Sequence, residues 1–216
     1  MKKVVLTLLT LLLVMGTKAQ ESQTEYNFLR LPVSAHAAAL GGENITIIED
    51  DPASSVSDNT VGLNYMNYMH GANYMGASYT KALGEKATIA GGILYMNYGK
   101  MKQVDENNVQ TGTFNASDIA LEGIFSYELA RNLVGGITAK FITSYIGNYN
   151  SMAVGVDLGL NWYEPERQWS VSVVAKNLGG QVKAYEEDYG KMPFDLQLGV
   201  SKTFAALPVR VSATLV

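Results

Sequence analysis

Residues 117–163 read SDIALEGIFSYELARNLVGGITAKFITSYIGNYNSMAVGVDLGLNWY, three consecutive runs of alternating apolar and polar residues separated by turn-like residues. In the first run Ile119, Leu121, Phe125, Tyr127 and Leu129 fall on one parity, while Asp118, Glu122, Ser126 and Glu128 fall on the other. Ile124 breaks that pattern. The second run sets Leu133, Ile137, Ala139, Phe141 and Tyr145 against Thr138, Lys140 and Ser144, with Ile142 out of place. The third sets Met152, Val154, Val156, Leu158, Leu160 and Trp162 against Ser151, Gly155, Asp157, Gly159 and Asn161. Successive side chains of a strand point to opposite faces, so each run predicts a strand with one apolar and one polar surface. Two environments produce such strands. In a soluble sandwich the apolar face is the core; in an outer-membrane barrel it meets lipid and the polar face lines the lumen.

Length and run ends favour the barrel. The runs are about 11 to 13 residues long, against about 5 to 6 for an ordinary globular strand and about 9 to 11 for a tilted bilayer-crossing strand. Aromatic residues gather near the ends, at Tyr127, Tyr145, Trp162, Tyr163 and Trp169, where interfacial girdles sit. The same alternation continues outward in both directions. Strands are predicted at Val61–Tyr68, Asn73–Ala82 and Ala87–Tyr98 before the central three, and at Gln168–Asn177, Phe194–Phe204 and Val209–Val216 after them. Lys202 falls on an apolar face, near enough to a strand end to snorkel.

Connections alternate in length in the manner of short periplasmic turns and longer outside loops. Short ones fall at Leu83–Lys86, Ala130–Asn132, Glu164–Arg167 and Ala205–Pro208, and long ones at Gly99–Ala116 and Leu178–Pro193. The links at Ile146–Asn150 and near His70-Gly71 are shorter than that rule prefers. The count of nine strands is odd, whereas single-chain bacterial barrels have an even number and no open edge. The expectation is an all-β, antiparallel transmembrane β-barrel, incomplete at its C-terminus; the competing count is an eight-stranded barrel in which Val61–Tyr68 belongs to the N-terminal arm.

The segments before the strands read differently. Lys2 and Lys3, the apolar stretch Val4–Met15 and the small residues of Gly16-Thr17-Lys18-Ala19 predict a secretory signal peptide over residues 1–19. Residues 20–60 form an N-terminal arm, in which Ser34 caps a short alanine helix that Gly41-Gly42 stops. That arm is either a lumen plug or an ordinary packed extension. Residues 61–216 carry the barrel strands. Without the leader, 13 basic residues face 20 acids, a net charge of −7, which argues against nucleic acid as a partner. Cysteine is absent, so no disulfide framework holds an exported chain of this composition together.

Catalytic motifs are weak. Ser78-Tyr79-Thr80-Lys81 matches S-x-x-K and Ser57-Asp58-Asn59 matches S-D-N of serine acyl-transferases, but the chemistry needs serine and lysine on one helical turn, and in a strand positions three apart face opposite ways. Only His36 and His70 are available for a metal, and the acidic run at Asp105-Glu106-Asn107-Asn108 lacks EF-hand spacing. No catalytic, cofactor-binding or metal residue is assigned, and no cofactor is expected. Asp118, Glu122, Glu128, Lys140 and Asp157 are expected to face the lumen and pair across strands. Asp105, Glu106 and Asn107 in the first long loop, with Tyr185, Glu186, Glu187, Asp188 and Tyr189 in the second, are the candidate partner contacts, because exposed loops on a rigid scaffold commonly carry binding.

Several stretches resemble one family. FLRLPVSAHAAALGG at residues 28–42, YMNYGK at 95–100, GTFNASD at 112–118 and NYNS at 148–151 are similar to the PorQ branch of the PorV/PorQ outer-membrane barrels of the Bacteroidetes type IX secretion system, distant relatives of FadL-type transporters. The resemblance covers most of the chain from Phe28 to Val216. It implies an outer-membrane barrel longer than this chain, without catalytic residues, in contact with outer-membrane lipid and lipopolysaccharide. It further implies membership of a cell-surface attachment complex, in which the barrel holds a surface partner among other secretion proteins. The alternative it allows is a FadL-like channel for small hydrophobic compounds. One departure is the Asn-Pro-Ala-Leu segment common in relatives, replaced here around Asn59-Thr60-Val61-Gly62-Leu63, which leaves the entry to the first strand less defined.

Overall fold

Alternating sequences that cannot bury both faces pair edge to edge, and this chain does so without interruption. The computed structural model describes residues 24–33, 38–39, 59–68, 71–204 and 209–216. Within them lie nine strands: β1 (Thr60–Asn67), β2 (Asn73–Leu83), β3 (Ala87–Val104), β4 (Gln110–Ala130), β5 (Leu133–Ile146), β6 (Tyr149–Glu164), β7 (Trp169–Lys183), β8 (Asp195–Phe204) and β9 (Val209–Leu215). They form one antiparallel sheet in sequence order, β1 to β9, each strand hydrogen-bonded to the next. Such a meander needs only hairpin connections, and residues tolerant of the left-handed region supply several of them: Gly84 (φ 69°), Asn132 (φ 68°) and Gly147 (φ 58°). Among the described residues β1 and β9 are the sheet edges, an arrangement consistent with an incomplete barrel. β1 pairs with β2 from Thr60↔Thr80 to Asn67↔Asn73, so it is a sheet strand and not part of the arm.

The sheet is inverted relative to a soluble fold. Leu121, Phe125, Ile137, Phe141, Val154, Leu158, Leu160, Leu196 and Leu198 are all exposed on one face. On the other face Asp118, Ser126, Thr138, Lys140, Ser144, Ser151, Asn161, Ser172 and Gln197 are buried, Ser151 and Gln197 completely. A sheet with no second layer buries one face only by curving around it. The apolar parity of the sequence is therefore the convex outside and the polar parity the concave inside.

The two parity misfits have a structural reason. Ile124 and Ile142 lie on the concave side, and Ile142 is wholly buried in a small apolar cluster with Leu94, Met96, Ala120 and Ala153. Tyr26, which precedes a single 3-10 turn (Asn27–Arg30), and Phe28 within that turn complete this cluster, so the segment around them rests on the inner face. The predicted helix at Ser34–Gly42 lies outside the described residues apart from Ala38 and Ala39, as does the predicted signal peptide.

Both long loops differ from expectation. The stretch 99–116 is not a loop: β3 and β4 run on past their neighbours and close in a turn at residues 105–109. Period-two alternation breaks there because of a bulge between Asn97 and Lys100, at Gly99 (φ 76°), which hides the continuing strand from a parity reading. The stretch 178–193 likewise starts as strand, since β7 continues to Lys183. Only 184–194 connects β7 to β8, and it folds inward, burying Ala184, Met192 and Pro193.

β7 carries a second bulge. Val156 pairs with Leu178 and Leu158 with Ala175, so Lys176 and Asn177 together oppose Asp157, and Asn177 takes a left-handed conformation (φ 57°). Just beyond it the backbones of β6 and β7 approach so closely that a Cβ on Gly179 would lie 2.1 Å from the Val154 carbonyl oxygen. Gly179→Ala is expected to disrupt the β6–β7 pairing and cost at least the roughly 1 to 3 kcal/mol of ordinary overpacking. Gly180→Ala, whose added Cβ meets nothing within 4 Å, is the matched control. Denaturant midpoints of the two variants in detergent check this, Gly179→Ala falling well below the control.

Candidate functional site

The inner face is layered along the strand direction. Nearest the short turns it is lined by Ser126, Ser170, Ser172 and Asn161, whose Nδ2 donates to the Ser172 hydroxyl at 2.8 Å. Above this lies a charged layer built on Lys140. Cross-strand register sets Lys140 opposite Glu122 on β4 and Gly155 on β6, leaving room for its long side chain. Its Nζ lies 2.7 Å from Asp157 Oδ2 and 3.8 Å from Glu122 Oε1, and it donates to Asn177 Oδ1 at 2.9 Å. The β7 bulge completes the arrangement: the Asn177 backbone N–H donates to Asp157 Oδ1 at 2.7 Å, and its Nδ2 donates to the Pro193 carbonyl at 3.0 Å. One lysine thus ties β4, β5, β6, β7 and the β7–β8 connection together.

The apolar cluster follows, and a hydroxyl network lies on the inner face beyond it. Tyr98 donates to Asp118 Oδ2 at 2.6 Å, Ser144 donates to Asp118 Oδ1, and Tyr185 donates to Ser144. Burial, with the charges of Asp118, Tyr26 and Glu25 nearby, pushes the Tyr185 hydroxyl up to about 12, so it remains a donor at neutral pH. Beside this chain Gln181 holds the N-terminal segment. Its Nε2 donates to Glu25 Oε2 at 2.7 Å and the Tyr26 hydroxyl at 2.9 Å, and its Oε1 accepts the Gly190 N–H at 2.6 Å. Glu25 N–H donates to the Lys191 carbonyl at 3.0 Å, and Arg30 grips Asp195 with two hydrogen bonds of 2.8 and 2.9 Å.

The residues singled out in the sequence divide accordingly. Asp118, Glu122, Lys140 and Asp157 all lie on the inner face, Glu122, Lys140 and Asp157 in the charged layer and Asp118 in the separate hydroxyl network. Glu128 shares their parity but sits at the short-turn end, outside both. Asp105, Glu106 and Asn107 stand exposed at the tip of the β3–β4 hairpin, where Asp105 Oδ1 accepts the N–H groups of Asn107 at 2.9 Å and Val109 at 2.8 Å. Glu186, Glu187, Asp188 and Tyr189 are exposed, while Tyr185 turns inward. Sequence reading missed Ser144, Asn177, Gln181 and Glu25. Ser144 was legible as a polar position of inward parity, whereas Asn177 depends on a bulge that no pattern announces, and Gln181, of outward parity before that bulge, is turned inward by it.

The acyl-transfer motif is split as strand geometry requires: Ser78 pairs inward opposite Gly92 and Gly62, and Lys81 is exposed on the outer parity. Ser57, Asp58, His36 and His70 lie outside the described residues. Lys202 Nζ reaches the Arg167 carbonyl and sits 5.1 Å from the Trp169 ring centroid, at the short-turn end of the outer face. No family model matches the chain, and no curated protein matches it.

Two measurements test this arrangement. Lys140→Met leaves Asp157 and Glu122 facing each other without their cation, and such a broken buried pair costs about 3 to 5 kcal/mol, to be read as a lowered guanidinium midpoint. For the N-terminal segment, burial raises the Glu25 carboxyl above its ordinary value, the Gln181 hydrogen bond partly offsets this, and the charge of Asp118 adds to it. The seated state therefore holds the proton more tightly than the released state. Seating is strongest below the ordinary carboxyl range and weakens as pH rises through the elevated value. A spin label on Val33→Cys, unique in a cysteine-free chain, is expected to grow more mobile as pH rises across this range, and Glu25→Gln is expected to flatten the response.

Proposed function

We propose that the protein is a non-enzymatic outer-membrane barrel that holds a surface partner within a type IX secretion and cell-surface attachment machine. The observation that carries the membrane part is the inverted exposure of the sheet. A contiguous apolar convex surface of this extent does not suit water, and its dimensions suit a bilayer. The outward residues of β4 run from Ile119 to Leu129, which at about 3.4 Å per residue and a tilt of about 45° spans roughly 24 Å along the membrane normal, close to the roughly 25 Å apolar band of outer-membrane barrels. Aromatic side chains bound this band on its exposed face: Tyr127, Trp162 and Trp169 towards the short turns, Tyr65 and Tyr145 towards the opposite end.

The attachment part rests on the stretches similar to PorQ-type proteins and on the shape of the end away from the short turns. There the β3–β4 hairpin projects and a layer of tyrosines, serines and carboxylates closes the inner face. The N-terminal segment packs on the inner face at that level, and this packing supports a scaffold over an open pore. A second reading, a conduit for small hydrophobic compounds, draws support from the apolar layer of Phe28, Leu94 and Ile142 within an otherwise polar interior. A hydrophobic molecule found by mass spectrometry in detergent-purified protein would favour that conduit.

The membrane reading has a direct test. Leu121→Arg, on the outer face near the middle of the band, is expected to cost about 2 to 4 kcal/mol of folding free energy in lipid vesicles. The same substitution in a water-facing sheet would be neutral or favourable. Fractionation with the outer membrane and co-purification of a surface protein complete the test; a chain that stays soluble without detergent overturns the proposal.

A further inference from the structure

The β3–β4 hairpin has an unusual exposed portion. β2 pairs with β3 only as far as Asn73↔Asn97, and β5 pairs with β4 only as far as Ala116↔Ile146. Beyond these points Lys100–Val104 and Gln110–Asn115 pair with each other, and only Asn115, at the base, accepts a further backbone hydrogen bond, from Gly147. The result is a two-stranded ribbon rising about 20 Å past the sheet, with an unpaired edge on each side. An isolated ribbon of this kind is marginally stable in water, and free strand edges are templates for a further strand.

The two edges are chemically different. The β3 edge carries Lys100 and Lys102, the charged residues with which edges are commonly guarded. The β4 edge, Gln110-Thr111-Gly112-Thr113-Phe114-Asn115, has no charge, no proline and several good strand formers. Its hydrogen-bonding direction is fixed at its base, where Asn115 accepts the Gly147 N–H at 2.9 Å across the side facing β5. Backbone groups alternate sides along a strand, so Thr113, two residues from Asn115, presents its N–H and C=O groups to the same open side, while Thr111 is the extra residue of a bulge between Gln110 and Gly112, where the alternation ends. The β5–β6 turn ends below them, with Ile146 and Tyr149 exposed beside the gap.

The faces specify what fits. The bulge at Gly99 shifts the phase of β3, so Lys100 lies opposite Asn115 and Lys102 opposite Thr113, both lysines on one face. Met101 lies opposite Phe114 on the other face. A strand added beside β4 would set one row of its side chains near the two lysines and the other row near Met101 and Phe114. We infer that the β4 edge of this ribbon receives an extended segment of a partner protein, with acidic residues alternating with apolar ones, by β-strand addition. The inference rests on the docking role proposed above and names the surface that performs it.

The test uses the full chain in detergent micelles and a fluorescent, end-capped octapeptide of alternating Glu and Val, with a Lys–Val peptide and a copy of residues 110–117 as comparisons. The Glu–Val peptide is expected to bind at least about tenfold more tightly than the Lys–Val peptide, or about 1.4 kcal/mol. Thr113→Pro removes the outward N–H and spares the ribbon's own bonds, and is expected to weaken binding at least about tenfold. Thr113→Val, which keeps that N–H, is expected to bind as the parent does, and the double substitution Lys100→Gln and Lys102→Gln is expected to abolish the preference for Glu over Lys. Absence of Glu–Val binding up to about 1 mM, or equal binding by Thr113→Pro and Thr113→Val, overturns the inference. Tighter binding of the 110–117 copy would make a second copy of this chain the occupant and overturn it as well. Membrane insertion and co-purification of a surface protein are read separately, so failure here leaves the docking role standing.

Discussion

A sheet that turns its apolar side chains outward must satisfy its polar side chains within, and the rest of this structure follows from that requirement. Lysine and carboxylates taken out of water cost several kcal/mol each unless paired and hydrogen-bonded. Lys140 meets that demand with Asp157, Asn177 and Glu122, and Asp118 meets it with Tyr98 and Ser144. The bulge at Asn177 belongs to the same solution, since a regular strand would not aim both the backbone N–H and the side chain of one residue at Asp157 and Lys140. Local irregularity in β7 is thus the means by which a regular sheet accommodates buried charge.

The interior is not uniformly polar. Between the charged layer and the hydroxyl network lies an apolar tier to which β2 through β6 and the N-terminal segment contribute. This tier gives Tyr26 and Phe28 somewhere to bury, while the polar groups around it orient them through Gln181 and Ser151. Apolar burial supplies attraction and hydrogen bonds supply position. The same division recurs outside, where Lys202 lies along an apolar face and delivers its charge to a carbonyl and the Trp169 ring at the rim.

Much of the architecture was legible because strand parity is a strict code. Nine strands and their two faces could be read from alternation, and the break at Ile142 marked an apolar tier inside, whereas Ile124 is buried on the other side of the charged layer. What alternation could not show was anything made by a bulge or by a distant segment. Gly99 shifts the phase of β3, so a projecting ribbon read as a loop. Asn177 does the same in β7, and Tyr185 looked like an exposed loop residue until the chain after Lys183 turned inward. The partners of Glu25 and Arg30 lie more than 150 residues away in sequence, beyond any local pattern.

That separation also bears on the order of assembly. The clasp between Arg30 and Asp195 joins positions 165 residues apart, and Phe28 shares a cluster with Tyr74 and Leu94 near the opposite side of the sheet. The clasp has nothing to grip until β8 has formed, since Asp195 is its first residue. Loop-closure entropy opposes such a distant tie, and local hairpins face a much smaller penalty. A segment that precedes every strand in sequence is accordingly among the last to settle, a keystone set only after the arch stands.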